Sequence, residues 1–568
     1  NLGALLNSEG RPREAINYLK NALKLEEGSA DALNNLGLAY KKLQHPEKSR
    51  KILEMLTALH PLFPEGHYNL GNIHDSFDQN LKSIKSYRSA LSLRADYDSA
   101  LAQLLYQEFQ ICDWSGLAEY GDRVPGLGIE GEVVATFPLL PLEDAPERHL
   151  VRTVKYTQET HSREGVSLPP APVVKPEKLR VGYFSADFKY HATMFLMSGV
   201  FSCHDRERFE IFIYSYGPKK DKDVKDRLLE QVDKFSDVQD LSDPEIVRMA
   251  RDDGLHIAID LKGYTQHTRS GLFAHRLAPV QLNYVGYPGS MGADFIDYIV
   301  ADETIIPEDC RDHYSEEIIY LPNSYQPNDN RRVISDNAMS RADFDLPEDG
   351  FVFCCFNNNY KITPAEFDVW SRLLNRFEES VLWLLRSNEW SEENLRREIS
   401  VRGVDGSRLI FADKVSHTDH LARHRLADLF LDTFNVNAHT TASDALWGGL
   451  PVLTKMGRQF AARVAASLLR AVGLPELVVE TEEAYEALAC ELVTNRPRLA
   501  SIRERLAVNR MTYPLFDTPS YTRYLEDAYE QAYQLYFDGK KPETIHVEKK
   551  QIKNANTQKI KGKGCHAI

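Results

Sequence analysis

The chain has 568 residues, of which 43% are hydrophobic and 27% are charged, and its formal net charge at pH 7 is −15. This length and balance are typical of a globular protein with roughly three or four domains, and the acidic charge argues against nucleic-acid binding as the main function. No apolar run reaches the roughly 18 residues of a membrane span, and no signal peptide is visible, so we expect no membrane partner.

The N-terminal segment repeats itself. The tripeptide Asn-Leu-Gly begins at residues 1, 35 and 69, two successive steps of 34 residues. The same step from Ala15 reaches Ser49 and then Ser83, all small residues, as close helix packing requires. Because 34 residues is the period of the tetratricopeptide helix pair, we predict an all-α superhelix of such repeats over residues 1–105. The chain begins inside a repeat, so we expect a fragment of a longer array.

Repeat superhelices present a concave surface to extended peptides, and we expect this one to bind protein or peptide acceptors. Asn35 and Asn69 lie at equivalent positions of the repeat. They could belong to a row that holds a peptide backbone, or they could bond one helix to the next. We favour the structural role.

A connector and two α/β lobes are predicted next. Residues 106–178 are irregular and end in a Pro-rich linker. Short apolar runs then alternate with amphipathic stretches, in a first series at 179–188, 209–217, 255–264, 280–289 and 297–306. A second series follows from about residue 345, with "FVFCCFNNNYK", "VLWLLRS", "RLIFADKV", "DLFLDT", "PVLTK" and "LVVET". The alternation predicts parallel sheets covered by helices. We therefore expect two Rossmann-like lobes, at 179–340 and 341–517, with strand ends facing a shared cleft.

The C-terminal part divides into a helix and a tail. The amphipathic stretch 518–539 predicts a long helix that packs on the two lobes. The Lys-rich, polar segment 540–568 is predicted to be disordered.

The seven cysteines are scattered and form no C-x-x-C pair. Adjacent Cys354 and Cys355 lie in an apolar, strand-like run, which favours buried free thiols over metal ligands or redox partners. This usage fits a reducing compartment, and we expect a cytoplasmic protein.

One candidate phosphate site follows the run "DLFLDT". In "FNVNAHTTASDALWGG" (434–449), Thr440 or Thr441 could cap a helix whose first backbone N–H groups suit a phosphate. His439 would stand at the mouth as a further donor. The alternative is a capped helix with an incidental histidine.

Two further strand ends carry polar residues. In "FNNNYKITP" (356–364), amides could contact a base or sugar and Lys361 could neutralise a diphosphate. The alternative is a solvated turn before a helix that starts at Thr363-Pro364. In "SADFKYHATMF" (185–195), His191 follows the first strand of the first lobe. A lone histidine is more often structural than catalytic, and this position raises the odds of catalysis only moderately.

Taken in order, the motifs make the chain resemble the O-linked N-acetylglucosamine transferases, in a short, bacterial-type form without the long domain that animal members insert between the lobes. The resemblance spans nearly all of residues 1–539. The segments that carry it are "LRVGYFSADFKYH", "RLAPVQLNYVGYPGSMGADFIDYIVAD", "FNNNYKITP", "VLWLLRS", "HLARHRLADLFLDT", "NAHTTASDALWGGLPVLT" and "FAARVAASLL". The resemblance implies a glycosyltransferase of the two-lobed GT-B type that needs no metal and no cofactor besides its donor UDP-GlcNAc.

The resemblance also implies roles for particular residues. His191 matches the active-site histidine of the family, as general base or as a residue that positions substrate. Lys361 matches the lysine that stabilises the leaving diphosphate. The nucleotide-sugar site would comprise Asn358 near the nucleotide, His420 and Arg423 around the uracil, His439, Thr440 and Thr441 at the diphosphate, and Asp444 at the ribose. One position departs from the animal pattern, because a lysine that touches the ribose there is His417 here.

These expectations define one function and two alternatives. The chain would move N-acetylglucosamine from UDP-GlcNAc to Ser or Thr hydroxyls of proteins, with inversion. The first alternative is a protein O-fucosyltransferase that uses GDP-fucose, against which His439 and Tyr360 count. The second is a repeat scaffold with an inactive core, against which the intact His191 and Lys361 count.

Overall fold

The computed structural model describes residues 2–8, 10–161, 173–217 and 221–549. Part of the predicted Pro-rich linker and residues 550–568 of the predicted tail lie outside the described residues. Among the described residues, no helix combines the length and the apolarity needed to cross a membrane.

The N-terminal region is a stack of helices, as predicted. Its members are α1 (Leu2–Ser8), α2 (Pro12–Leu25), α3 (Ala30–Lys42), α4 (Pro46–Leu59), α5 (Pro64–Asp75), α6 (Asn80–Leu93) and α7 (Asp98–Gln110). The glycine of the repeated tripeptide lies where two helices touch, since a Cβ on Gly71 would come within 2.5 Å of the Tyr87 ring. Glycine therefore recurs there because no side chain fits. The predicted boundary at residue 105 falls inside α7.

The asparagines of the repeats join neighbouring helices. Asn69 Nδ2 donates to Asn34 Oδ1 at 2.8 Å, and Asn7 Nδ2 donates to the carbonyl oxygen of Asn35 at 2.7 Å. The bond of Asn69 agrees with the helix-to-helix role favoured from the sequence, whereas the side chain of Asn35 donates to the carbonyl oxygen of Asp31 in its own helix at 2.9 Å.

The connector is more regular than predicted. It contains α8 (Ser115–Tyr120) and α9 (Pro146–Thr160). The buried face of α9 is polar, with His149, Arg152, Thr153 and Thr157. Thr157 Oγ1, for example, donates to the carbonyl oxygen of Met291 at 2.9 Å. Because polar side chains fill this face, the hydrophobic period that reveals most helices is missing.

The first lobe is a parallel sheet with helices packed on it. Its strands are β1 (Leu179–Ser185), β2 (Phe209–Ser215), β3 (Lys234–Asp237), β4 (Ile257–Asp260), β5 (Val280–Asn283), β6 (Tyr298–Ala301) and β7 (Glu317–Tyr320). Its helices are α10 (Ala192–Cys203), α11 (Lys222–Gln231) and α12 (Asp243–Asp252). The strand order is β3-β2-β1-β4-β5-β6-β7. The chain adds strands towards one edge from β1 to β3 and towards the other edge from β4 onwards, so the order of the strands reverses between β1 and β4. Ligands of such sheets bind at this reversal, beyond the carboxyl ends of the strands.

The second lobe repeats this plan. Its strands are β8 (Val352–Cys355), β9 (Val381–Leu385), β10 (Leu409–Ala412), β11 (Leu429–Leu431), β12 (Val452–Lys455) and β13 (Val478–Val479). Its helices are α13 (Pro364–Arg376), α14 (Glu389–Val401), α15 (His417–Arg423), α16 (Thr440–Gly448), α17 (Val464–Ala471), α18 (Glu482–Thr494) and α19 (Arg496–Thr512). The order β10-β9-β8-β11-β12-β13 reverses between β8 and β11. The predicted architecture of a repeat superhelix followed by two Rossmann-like lobes is confirmed.

The C-terminal part returns to the first lobe. Helix α20 (Thr518–Phe537) packs on α10, and β14 (Ile545–His546) pairs in parallel with β7 at the edge of the first sheet. The prediction of disorder from residue 540 is therefore wrong for this strand. Ile545 and Val547 are buried, and an open sheet edge offers the backbone bonds that so short a strand needs.

The end of the repeat region is docked on the second lobe. Trp114 Nε1 donates to the carbonyl oxygen of Ile362 at 3.2 Å, and Asn359 Nδ2 donates to that of Gln110 at 3.3 Å. The rings of Tyr106 and Tyr360 lie 5.4 Å apart. The turn that follows β8 is thus held by the last repeat helix and its continuation.

Candidate active site

The predicted site residues follow the strands at which the two sheets reverse. His191 follows β1, Lys361 follows β8, and His439 follows β11. Ligands of open α/β sheets bind where the strand order reverses. The topology alone therefore predicts that these three segments contact a ligand.

Lys361 is a buried cation at the end of the short 3-10 turn Asn359–Lys361. Its Nζ donates to the carbonyl oxygen of Asn437 at 2.7 Å. Burial lowers the pKa of Lys361 to about 8, against the opposing pull of the Asp432 carboxylate. An ammonium has three N–H donors, so Lys361 keeps capacity for an anion after the bond to Asn437.

The loop before α16 is held in place by Asp432. This carboxylate accepts bonds from the backbone N–H groups of Thr433 at 2.8 Å and Ala438 at 2.6 Å, and from Thr454 Oγ1 at 2.7 Å. Burial raises the pKa of Asp432 to about 6, although these bonds oppose the rise. The strand end and the start of α16 are therefore a rigid unit.

The start of α16 differs from the prediction in one respect. Neither threonine caps the helix, because His439 is the N-cap residue and Thr440 is the first helical residue. Thr441 Oγ1 donates instead to Asn357 Oδ1 at 2.5 Å. No side chain among the described residues caps this helix. Its first N–H groups therefore have no side-chain partner, which is the arrangement that binds phosphates at helix N-termini.

His439 is a neutral imidazole in this arrangement. Burial and the nearby charge of Lys361 lower its pKa to about 3. Its Nε2 lies 3.2 Å from the carbonyl oxygen of Ala461 and so carries the proton. The single N–H of His439 is therefore used within the protein, and its second nitrogen is an acceptor. The role of a further donor, expected from the sequence, does not fit this geometry.

His420 and Arg423 are joined on α15. Arg423 Nη2 lies 2.7 Å from His420 Nδ1, and Arg423 Nη1 donates to the carbonyl oxygen of Asp413 at 2.6 Å. Burial, with the neighbouring His424 and Arg423, lowers the pKa of His420 to about 2. Since the guanidinium only donates, His420 Nδ1 accepts and its Nε2 carries a proton. The pair offers one oriented donor for a base or sugar.

Asp444 lies between the side chains of Arg332 and His417. Arg332 Nη1 is 2.5 Å from Asp444 Oδ1, and His417 Nε2 is 3.3 Å from Asp444 Oδ2. Burial would raise the pKa of Asp444, but the bond to His417 and the charge of Arg332 outweigh it and hold the pKa at about 2. The carboxylate is charged at all physiological pH values.

His417 also connects the lobes. Its ring stacks on Phe195 of α10 with centroids 4.0 Å apart, and its backbone N–H donates to the hydroxyl of Tyr190 at 2.9 Å. The residue that departs from the animal pattern is therefore a contact between the two lobes as well as a partner of Asp444.

The asparagines after β8 have separate positions. Asn358, the predicted nucleotide residue, is exposed, whereas Asn357 is buried. Asn357 Nδ2 donates to Thr433 Oγ1 at 2.8 Å and bonds β8 to the segment after β11. Asn358 thus faces solvent at this strand end, where a ligand could reach it.

His191 is the N-cap residue of α10 in the first lobe. Its Nδ1 accepts from the backbone N–H of Thr193 at 3.2 Å and lies 3.7 Å from Asp187 Oδ2. Burial lowers the pKa of His191, although the Asp187 carboxylate opposes the shift. With Nδ1 as acceptor, the neutral ring carries its proton on Nε2.

Asp187 is in turn held by Lys262. Lys262 Nζ donates to Asp187 Oδ2 at 2.6 Å, and both side chains are buried. Burial would raise the pKa of Asp187, but the charge of Lys262 holds it below the ordinary value. Asp187, which follows β1, and Lys262, which follows β4, therefore form an ion pair beside His191, at the point where the strand order of the first sheet reverses.

The structure thus brings together most of the predicted set. Lys361, His439 and Thr441 lie on adjoining segments of the second lobe, with His420 and Asp444 on the neighbouring helices α15 and α16. His191 stands apart on the first lobe, where the partners described above belong to its own lobe. Helix α10, which His191 caps, also approaches α16.

Several residues of this region were missed in the sequence. Asp432 directly follows β11 and Lys262 lies two positions after β4, so a polar residue near the carboxyl end of a buried strand was a usable signal. Arg332 gives no such signal, because it lies in the irregular segment between the lobes.

Comparison with known proteins places this arrangement in a family. The model of glycosyl transferase family 41 matches residues 147–338 and 334–525, and tetratricopeptide repeat models match residues 6–70 and 64–97. The chain is 38% identical over 377 residues to the probable UDP-N-acetylglucosamine–peptide N-acetylglucosaminyltransferase SEC of Arabidopsis thaliana, covering 65% of this chain and 39% of that protein. It is 29% identical over 475 residues to a UDP-N-acetylglucosamine–peptide N-acetylglucosaminyltransferase of Caenorhabditis elegans, covering 64% and 41%.

A solved structure is similar over nearly the whole chain. A mutant of the Thermobaculum terrenum O-GlcNAc transferase superposes with a TM-score of 0.70 at 28% identity, covering 94% of this chain and 97% of that one. By contrast, the chain spans about two fifths of the length of the two curated relatives. The family match alone covers more than half of the chain. The protein is a member of glycosyl transferase family 41, with tetratricopeptide repeats in front of its two-lobed core.

Proposed function

We propose that the protein transfers N-acetylglucosamine from UDP-GlcNAc to Ser and Thr hydroxyls of proteins, with inversion at the anomeric carbon. The observation that carries this proposal is the buried Lys361 cation beside the uncapped start of α16. A departing diphosphate needs positive charge and N–H donors, and these two groups supply both.

The reaction follows from these groups. The acceptor oxygen forms a bond to the anomeric carbon while the bond from that carbon to the diphosphate oxygen breaks. UDP leaves with the electron pair, and the proton of the hydroxyl is released in the net reaction. We propose that Lys361 and the N–H groups of α16 stabilise the leaving diphosphate in place of a divalent metal ion. Preorganised donors of this kind typically contribute about 10²–10³ in kcat.

His191 is proposed to position substrate. Its Nδ1 already accepts the N–H of Thr193, so its Nε2–H is the group that faces a ligand as a donor. A general base would need the opposite tautomer, in which Nδ1–H turns to Asp187, 3.7 Å away. The shorter contact to Thr193 supports the donor role.

The remaining nucleotide contacts are proposed from the same geometry. Asn358, His420 and Arg423 would hold the base, Thr440 and Thr441 the diphosphate, and Asp444 the ribose. His439 would serve as an acceptor next to Lys361.

Acceptor proteins are proposed to arrive from the repeats. A cavity of about 600 Å³ opens where the repeats meet both lobes, and its walls include Asp75, Tyr106, Tyr264 and Lys414. Six free cysteines among the described residues support a reducing compartment, and we propose the cytoplasm.

Two measurements test the function. Calorimetric titration with UDP, UDP-GlcNAc and GDP-fucose should show binding of the two uridine nucleotides. Preferential binding of GDP-fucose would support the fucosyltransferase alternative, and binding of none would support the inactive scaffold. Mass spectrometry of a proteome incubated with the enzyme and UDP-GlcNAc should then detect new HexNAc on Ser and Thr.

A further inference from the structure

Arg332 lies in the segment that joins the two lobes, between β7 and β8. Its side chain is about 5% exposed, and its Nη1 is 2.5 Å from Asp444 Oδ1. The carbonyl oxygen of Arg332 accepts the indole N–H of Trp447 at 3.0 Å. Its guanidinium lies 5.8 Å from the Trp447 ring centroid and 5.9 Å from that of Phe516. The backbone and the side chain of Arg332 are therefore both held against α16.

The neighbours of Arg332 hold the same segment to the first lobe. The adjacent Arg331 donates from Nη2 to the carbonyl oxygen of Ser198 on α10 at 3.2 Å. The carbonyl oxygen of Asn328 accepts the hydroxyl of Thr518 at 2.6 Å. Arg332 thus reaches Asp444 from a segment that is tied to both lobes.

An aspartate that binds ribose hydroxyls needs a fixed carboxylate plane. Asp444 has one oxygen on Arg332 and the other near His417, so two side chains, each at a different oxygen, hold the plane of its carboxylate. Among the described residues, the second terminal nitrogen of Arg332, Nη2, is buried without a hydrogen-bond partner. A guanidinium has five donors in a rigid fork, so Arg332 has more capacity than the bond to Asp444 uses.

We propose that Arg332 is a positioning residue for nucleotide recognition, which orients Asp444 towards the 2′- and 3′-hydroxyls of the donor's ribose. The proposal rests on the proposed function, since it takes a uridine nucleotide as the ligand. It adds a residue from the segment between the lobes to a site otherwise built from the second lobe.

The test compares UDP with 2′,3′-dideoxy-UDP, which lacks both ribose hydroxyls, in calorimetric titrations of the full chain. The wild-type protein should prefer UDP by about 10-fold or more, the range expected for hydrogen bonds to a charged group. Arg332→Gln should weaken UDP binding about 10-fold and leave the affinity for dideoxy-UDP within about 3-fold. Arg332→Lys, which keeps the charge but loses the fork, should give an intermediate ratio.

Two controls separate this role from general damage. Arg372→Gln removes a guanidinium on α13 that pairs with Glu486 of α18, outside the segment between the lobes, and it should leave both affinities unchanged. In the background of Asp444→Asn, Arg332→Gln should cause no further loss of preference for UDP, because the two residues act through one contact.

The outcomes are distinct. A loss of affinity that is equal for UDP and dideoxy-UDP in Arg332→Gln would overturn the proposal and leave Arg332 a structural residue. An unchanged ratio with unchanged affinity would also overturn it. If the wild-type protein binds no uridine nucleotide, the proposed function itself fails, whereas wild-type binding with an unaltered ratio in the variants rejects Arg332 alone.

Discussion

Replacing Lys361 with methionine should lower kcat about 10²–10³-fold without lowering the free energy of unfolding of the protein. Burial lowers the pKa of Lys361 from 10.5 to about 8. This shift corresponds to a cost of about 3 kcal/mol for keeping the charge in the folded state at neutral pH. Methionine removes that cost, but the carbonyl oxygen of Asn437 loses its partner, which costs about 1–3 kcal/mol. The free energy of unfolding of Lys361→Met should therefore lie between the wild-type value and about 2 kcal/mol above it.

The sign of the pH dependence follows from the direction of the shift. The folded-state pKa of Lys361 is below the unfolded value, so its charge penalises the folded state below pH 8 and the penalty fades as the pH rises towards 10.5. The advantage of methionine should be present at pH 7 and vanish over that window. Meanwhile kcat should fall about 10²–10³-fold, as for the loss of one preorganised donor.

Thermal unfolding of the apo-protein and steady-state transfer to a Ser peptide measure these two effects. Lys234→Met is a matched control, because Lys234 pairs with Asp253 in the first lobe, away from the strand ends that form the candidate site. A marked drop in the unfolding temperature of Lys361→Met at pH 7 would refute the charge argument. A near-normal rate in a folded variant would refute the role at the diphosphate.

Three further predictions concern other parts of the molecule. His191→Gln keeps an N–H donor and should retain activity within about tenfold, whereas His191→Ala should lose about 10²-fold or more in kcat; equal losses would favour a general base. The kcat/KM of the wild-type enzyme should fall above about pH 8 as free Lys361 loses its proton, and Lys361→Arg should not show this decline in a pH–rate profile. Gly71→Ala places a methyl group against Tyr87 and should cost about 1–3 kcal/mol in the stability of the repeats, seen in thermal unfolding, with UDP affinity unchanged; a change in UDP affinity would contradict the assignment of Gly71 to packing.

The strands were readable where burial made the sequence apolar. All five predicted runs of the first lobe and all six of the second contain strands. Three strands were not predicted. β7 is apolar and buried and was overlooked, whereas β3 reads Lys-Phe-Ser-Asp at a sheet edge and β14 has two residues, so neither of these gives a run of buried side chains. Edge strands and very short strands depend on pairing with a neighbour, which the local sequence does not encode.

The candidate site was predictable to the extent that its residues follow strands. Lys361 and His439 could be located because the carboxyl ends of parallel strands meet at one edge. The direction of the His439 N–H and the partner of Thr441 depend on groups more than 20 positions away, the backbone carbonyl of Ala461 and the side chain of Asn357. Arg332 was missed for a similar reason, since its ion pair spans 112 positions. Such contacts are properties of the assembled lobes.

The docking of the last repeat helix has a consequence for how this protein can be divided. Phe109, Cys112 and Trp114 are part of the same hydrophobic core as the strands of the second lobe. A transferase core expressed without residues 98–114 would lose interior side chains, and the turn that bears Lys361 would lose its backing. A truncated protein made to study catalysis without the repeats should therefore begin no later than the start of α7. Removing α1 to α6 from the N-terminus shortens the repeat array. Removing α7 as well takes away side chains, such as Phe109, that belong to the hydrophobic core of the second lobe.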